Sequence, residues 1–147
     1  MIIKHEKNIS AVNEIFGTMT DNEKIFSAGE AGDTEIPKEY ASPKDYENSS
    51  VESVIVYEGD IPISYCDIWV KDSIGEICVG TRRGFRRNGY ASAVLAEAIE
   101  VFRADVRLAK LRYYLHQGNV SSLNLARKFG FVEFWNNEYY IGLELCK

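Results

Sequence analysis

Cys78-Val79-Gly80-Thr81-Arg82-Arg83-Gly84-Phe85-Arg86-Arg87-Asn88-Gly89-Tyr90-Ala91 reads as a strand that runs into a short basic loop and then into the start of a helix. A helix N-terminus leaves backbone N–H groups unpaired and carries partial positive charge, which makes it an anion site, most often for phosphate. Gly89 lets the backbone come close to such a ligand, and Ala91 is too small to obstruct it. Arg86 and Arg87, with Arg82 and Arg83 nearby, add full positive charge. No Gly-Lys-Ser/Thr follows, so the loop is not a Walker A loop. Gly84, Gly89 and Ala91 do not match GxGxxG, and the strands before them are linked by hairpins, not by a βαβ unit. Taken by itself, the loop is equally compatible with a solvated arginine cluster at a helix start.

Behind the loop, Ala91 to Ala104 carries an apolar stripe of Ala91, Val94, Leu95, Ala98, Val101 and Phe102, with Glu97, Glu100 and Arg103 turned away. In front of it, Val54–Tyr57, Ile61–Val70 and Ile74–Thr81 alternate as strands around the turns Glu58-Gly59-Asp60 and Lys71-Asp72-Ser73, an antiparallel meander. Leu111 to His116 is a strand whose alternation sends Tyr114 and His116 to one face and Tyr113 and Leu115 to the other. Asn119 is placed to cap a helix with Leu125 and Phe129 one turn apart, and Gly130 ends it. Phe131–Phe134 and Glu138–Leu145 are two strands around an Asn136-Asn137 turn. Toward the N-terminus, Ile2–His5 is a short strand. Ile9, Val12, Ile15, Phe16 and Met19 recur at helical spacing after Asn8 or Ser10 as cap. Asp21 is read as the cap of a second helix with Ile25 and Phe26. Residues 29–50, with Gly29, Gly32, Pro37 and Pro43, read as a long loop. The expected fold is α/β, in the order β-α-α-β-β-β-α-β-α-β-β, with a mixed, mostly antiparallel sheet and helices on both faces.

The 147 residues suit one domain, and 46% hydrophobic with 27% charged residues is ordinary for a globular protein. No run is long and apolar enough for a transmembrane helix, and Met1 to Lys7 has no signal-peptide core, so a cytoplasmic location is expected. Cys66, Cys78 and Cys146 are odd in number and lack CxxC spacing; they read as small buried residues, and no metal site is expected. Residues 1–60 carry 5 Lys+Arg and 13 Asp+Glu, whereas residues 61–147 carry 12 and 9. The overall charge of −5 argues against general nucleic-acid binding, while the basic second half suits an anionic ligand.

Arg86-Arg87-Asn88-Gly89-Tyr90-Ala91 resembles the R/Q-x-x-G-x-G/A motif of the GNAT superfamily of N-acetyltransferases. Asn119-Val120-Ser121-Ser122-Leu123-Asn124-Leu125-Ala126-Arg127-Lys128-Phe129-Gly130-Phe131 is similar to the family's N-x-x-S-x-x-x-A-x-K-x-G-F segment, and the two occur in the family's order. The resemblance implies one domain over 1–147, with an acetyl-CoA-binding core at 51–145 and acceptor-side helices and loop at 1–50. It implies that the third meander strand and the strand after the long helix splay, with pantetheine in the gap. Val79, Gly80 and Thr81 would then offer backbone groups to pantetheine. Backbone N–H groups of Arg86, Arg87, Asn88, Gly89, Tyr90 and Ala91, with the Ser92 hydroxyl, would hold the pyrophosphate. Asn119 would reach pantetheine from the far side, cap its helix, or do both.

The implied chemistry is attack of an amine on a thioester, which needs a base because a free ammonium titrates near pH 10. Glu76 is the base candidate; its alternative is a solvent-facing strand carboxylate. The N–H of Val79 is suited to hold the oxyanion. Many relatives place a tyrosine, the acid for the thiolate, where this chain has Ala126. Tyr113, Tyr114, His116, Tyr139 and Tyr140 are the substitutes, His116 reading more simply as structural. Trp69 and Trp135 read as core or rim aromatics. The expected activity is transfer of acetyl from acetyl-CoA to a primary amine, either a small molecule or a peptide. The acidic first half leans toward a cationic acceptor. No membrane or nucleic-acid partner is expected, and a homodimer is left open. The rival function is a non-catalytic acyl-CoA-binding module that regulates or binds a partner; turnover with an amine panel separates the two.

Overall fold

The computed structural model describes residues 1–30 and 32–147. The strands are β1 (Ile2–His5), β2 (Val51–Glu58), β3 (Ile61–Lys71), β4 (Ile74–Thr81), β5 (Lys110–His116), β6 (Val132–Asn136) and β7 (Tyr140–Cys146). The helices are α1 (Ile9–Gly17), α2 (Asp21–Ala28), α3 (Pro43–Asn48), α4 (Tyr90–Ala104) and α5 (Val120–Lys128). The strands form one sheet in the order β1-β2-β3-β4-β5-β7-β6. Every neighbouring pair is antiparallel except β4 and β5, which are parallel. The mixed, mostly antiparallel sheet expected from the sequence is present, and strands and helices follow one another along the chain as expected, with α3 added.

Alternation along β2 and β3 builds two cores. Val54, Val56, Cys66 and Ile68 face α4 and α5, where they meet Val94, Leu95, Ala98, Phe102, Leu123 and Ala126. Val51, Ile55, Tyr57 and Tyr65 face α1 and α3, against Val12, Ile15, Phe16 and Tyr46. Helices therefore cover both faces, and each large side chain buried this way contributes about 1.5–3 kcal/mol relative to exposure. The apolar stripe of α4 is buried at Val94, Leu95, Ala98, Ile99 and Phe102.

Three local readings are corrected. The segment 29–50 is not all loop: Ser42 caps α3 by accepting from the Asp45 N–H at 3.1 Å, and Pro43 opens the helix where its missing N–H is harmless. The cap of α2 is Thr20, not Asp21, in a capping box with Glu23. Of the cysteines only Cys66 is fully buried, and Cys146, near the chain end, is exposed. Asn8 is the cap of α1. At the end of α5, Phe131 N–H reaches Ala126 C=O and Gly130 N–H reaches Arg127 C=O, with Gly130 at φ +96°. This is the paired closure that a left-handed residue makes possible. Among the described residues no helix is long and apolar enough to cross a membrane.

Candidate active site

The two parallel strands part company early. β4 and β5 are in register only at Ile74–Lys110, Gly75–Leu111 and Glu76–Arg112. Beyond that rung β4 runs on to Thr81, held on its other edge by β3, and β5 runs on to His116, held by β7. The facing backbone edges of Ile77–Thr81 and Tyr113–His116 are thus left without each other. Val79, Gly80 and Thr81 all lie along this opening. Gly80 is required by a close approach: a Cβ there would sit 2.5 Å from the Tyr65 ring and 2.4 Å from Met19. Thr81 is fixed by a 3.0 Å contact between its hydroxyl and that of Ser64.

At the wide end of the opening stands the basic loop. Gly84, Arg87 and Gly89 all have positive φ, at +90°, +62° and +84°, which folds the chain into a concave turn. Gly89 is the N-cap of α4 and supplies no side chain to that end. The first N–H of this segment bound within the helix is that of Ala93, to Gly89 C=O. Among the described residues, the N–H groups of Arg86, Arg87, Asn88, Gly89, Tyr90, Ala91 and Ser92 have no acceptor. Tyr90 is held at the helix start by its hydroxyl, which donates to Glu58 at 2.9 Å.

The arginine side chains of this loop are less free than the sequence suggests. Arg82 pairs with Glu14 of α1 and also donates to Pro62 C=O at 2.8 Å. Arg86 pairs with Glu23 of α2. The Thr18 hydroxyl accepts the Arg83 N–H at 2.9 Å. The corner between α1 and α2 is in this way fastened to the loop, and two acidic residues of the first half are used in doing so.

At the narrow end lies a cleft of about 540 Å³, whose walls include Trp69, Lys71, Asp72, Glu76, Arg112 and Tyr114. Ser49 and Ser50, just after α3, form its rim. Glu76 shares its sheet face with Trp69, its register partner on β3, and with Cys78; Ile77 points to the opposite core. Partial burial pushes the Glu76 carboxyl above the usual carboxylate range. Arg112 lies over the Phe134 ring at 4.6 Å and donates through Nε to Glu144 at 3.4 Å. The four charged side chains of these walls are two acids and two bases, so the cleft does not carry the acidic excess of the first half.

Asn119 caps α5 by accepting the Ser122 N–H at 3.3 Å, and it stands beyond the free end of β5, across the opening from β4. Ala126 is fully buried between α5 and the sheet, so no side chain from that position enters the opening. Tyr113 faces the α4–α5 core, Tyr114 the cleft, as the alternation predicts. His116 is a structural group: its Nδ1 accepts the Gly118 N–H at 3.0 Å and its ring stacks on Phe26 of α2 at 4.1 Å. Trp69 and Arg112 are the cleft residues whose part the sequence did not disclose.

The sequence model of the Acetyltransferase (GNAT) family matches residues 18–131, and the chain belongs to that family. No curated protein matches it. Among solved structures, an acetyltransferase of the GNAT family from Streptococcus pneumoniae superposes with a TM-score of 0.75 at 16% identity, with 99% of each chain covered. The GNAT domain of S. lividans PAT gives 0.79 at 12% identity, covering 99% of this chain and 89% of that one. An N-acetyltransferase from Thermoplasma acidophilum, solved in complex with coenzyme A, gives 0.71 at 13% identity over 100% of both chains. At these identities the likeness is one of fold.

Proposed function

We propose that this chain moves an acetyl group from acetyl-CoA to a primary amine. The observation that carries this reading is the parted β4–β5 edge, with a cradle of unpaired N–H groups at one end and a carboxylate at the other. The N–H groups from Arg86 to Ala91, with the Ser92 hydroxyl, suit a pyrophosphate. The open edge of Val79–Thr81 suits the amide groups of pantetheine, and Asn119 closes the far side. In this reading residues 51–145 form the acetyl-CoA core and residues 1–50 cover its acceptor side.

Acetyl-CoA supplies an activated thioester. The amine nitrogen attacks its carbonyl carbon, the N–C bond forms, the C–S bond breaks, and the thiolate leaves and takes up a proton. Glu76 removes the proton that the acceptor ammonium must lose, directly or through water. Its raised pKa fits that task, because a carboxylate closer to neutrality is a better base. The N–H of Val79 is suited to the developing oxyanion. With Ala126 in the core, the thiolate's proton comes from another source, and Tyr114 is the tyrosine that lines the cleft with Glu76. The test is release of free thiol from acetyl-CoA across an amine panel, with calorimetry of acetyl-CoA binding. Binding without turnover of any amine would instead favour the non-catalytic module.

A further inference from the structure

The cleft at the foot of the opening is lined by acids, bases and aromatics together. Glu76 and Arg112 are register partners on β4 and β5, and both side chains enter the same cleft. Adjacent strands are about 4.8 Å apart. Yet among the described residues no ion pair joins these two. Arg112 is fixed from elsewhere, by the Phe134 ring beneath it and by Glu144 at its Nε. Glu144 also faces Lys110 at 3.8 Å, so it does not neutralise Arg112 alone. The terminal Nη groups of Arg112 donate to no acceptor among the described residues, although its side chain is only 28% exposed. A planar donor fork and an unpaired carboxylate thus line one cleft from adjacent strands, with the fork anchored on the β7–β6 side.

Two of the wall side chains, Trp69 and Tyr114, are flat aromatics. Trp69 is locked by its indole N–H, which donates to the Tyr40 hydroxyl at 2.6 Å, and by the edge of Tyr46 at 5.7 Å. Tyr114 is braced edge-on by Phe134 at 5.9 Å and Trp135 at 6.0 Å. A polycation in this cleft would meet Lys71 and Arg112 as well as Glu76 and Asp72, and would gain little from the balance.

We propose that the acceptor is a compact zwitterion, a free α-amino acid with an apolar or aromatic side chain. Its ammonium sits at Glu76, its carboxylate on the Nη groups of Arg112, and its side chain between Trp69 and Tyr114. This rests on the acetyl-transfer reading above. Arg112 is the specificity residue, and Glu76 takes the proton from the bound ammonium before nitrogen attacks the thioester.

The test uses matched pairs: L-phenylalanine against phenethylamine, and L-leucine against isoamylamine, with spermidine and a lysine peptide alongside. Thiol release gives kcat/KM, and calorimetry gives acceptor binding to the protein with coenzyme A. The expected result is a preference of about 10²-fold for the amino acid over its carboxylate-free partner. That ratio should fall toward unity in Arg112→Gln and stand between the two in Arg112→Lys. Wild-type protein alone decides if Arg112→Gln does not fold. Equal or better use of phenethylamine, or acetylation only of spermidine or the lysine peptide, overturns the zwitterion proposal and leaves acetyl transfer standing. An Arg112→Gln variant that slows all amines alike would make Arg112 structural and overturn it too. No thiol release with any amine sinks the acetyl-transfer reading, and the proposal with it.

Discussion

Glu76 of β4 stands opposite Arg112 of β5 on the last rung before the two parallel strands part. The rung therefore marks both the foot of the opening and the floor of the cleft. It explains why Glu76, flanked by apolar neighbours in sequence, is reachable, and why burial nevertheless raises its pKa.

Glu76→Gln should separate chemistry from binding. The amide keeps size and much of the hydrogen bonding but cannot accept the proton. Affinity for acetyl-CoA should change little, since phosphate and pantetheine are held at the other end. Turnover near neutral pH should fall about 10²-fold. Part of the loss should return at high pH, where more acceptor is already neutral. In the wild type, the acid limb of kcat/KM should lie above the ordinary glutamate range, because the base is active only once ionised and its pKa is raised. Parallel pH profiles for variant and wild type would remove Glu76 from the proton path.

Gly89→Asp addresses the loop. Gly89 has φ +84° and its Cβ position is open space, so the substitution strains the backbone without a clash. It also places a negative charge where the unpaired N–H groups converge. Calorimetry should show acetyl-CoA affinity lowered at least tenfold, because the carboxylate would take up the N–H groups and positive helix end that the pyrophosphate needs and would repel it, and the turn would be strained. A folded Gly89→Asp protein with wild-type affinity would move the phosphate site elsewhere.

What the sequence discloses is local and periodic. The α4 stripe, the Gly130 helix end and the two glycine-bearing segments are each written in neighbouring residues, and with them the order of elements along the chain, α3 excepted. What it conceals depends on pairing across distance. The side chains of Arg82 and Arg86 read as full positive charge beside the phosphate site, but Glu14 and Glu23 reach them from α1 and α2. Trp69 and Arg112 become walls of one cleft only through the β3–β4–β5 register. The short α3 carries one buried apolar residue, Tyr46, too little for a periodic signal. Its Ser42-Pro43 start was the one legible sign.

Gly130→Val tests the end of α5. At φ +96° a β-branched residue is strained, while its Cβ would meet only Leu145 at an ordinary 3.6 Å. The loss should be conformational, about 1–3 kcal/mol, seen as a lower Tm with acetyl-CoA affinity per folded molecule preserved. An unchanged Tm would contradict the left-handed closure.

Asp67 should make stability depend on pH in an unusual direction. Its side chain is fully buried beneath α3, where Oδ1 accepts from the Ser53 hydroxyl at 2.5 Å and from the Tyr46 hydroxyl at 3.1 Å. Oδ2 has no partner among the described residues. Burial pushes the carboxyl up to about 6, against which those hydroxyls work only in part. In the unfolded chain an aspartate titrates near pH 3.9. Between about pH 4 and pH 6 the unfolded chain has released this proton and the folded protein still holds it, so the unfolded state binds fewer protons. Stability from this group is then fully present below about pH 4 and is lost as pH rises through about 6, by roughly 3 kcal/mol in order of magnitude. Asp67→Asn keeps the shape and removes the ionisation. Its Tm should match the wild type near pH 4 and exceed it above pH 6, with the slope between them flattened. Melting curves that run parallel for both proteins from pH 4 to pH 8 would show that Asp67 ionises in the folded protein as it does in the unfolded chain.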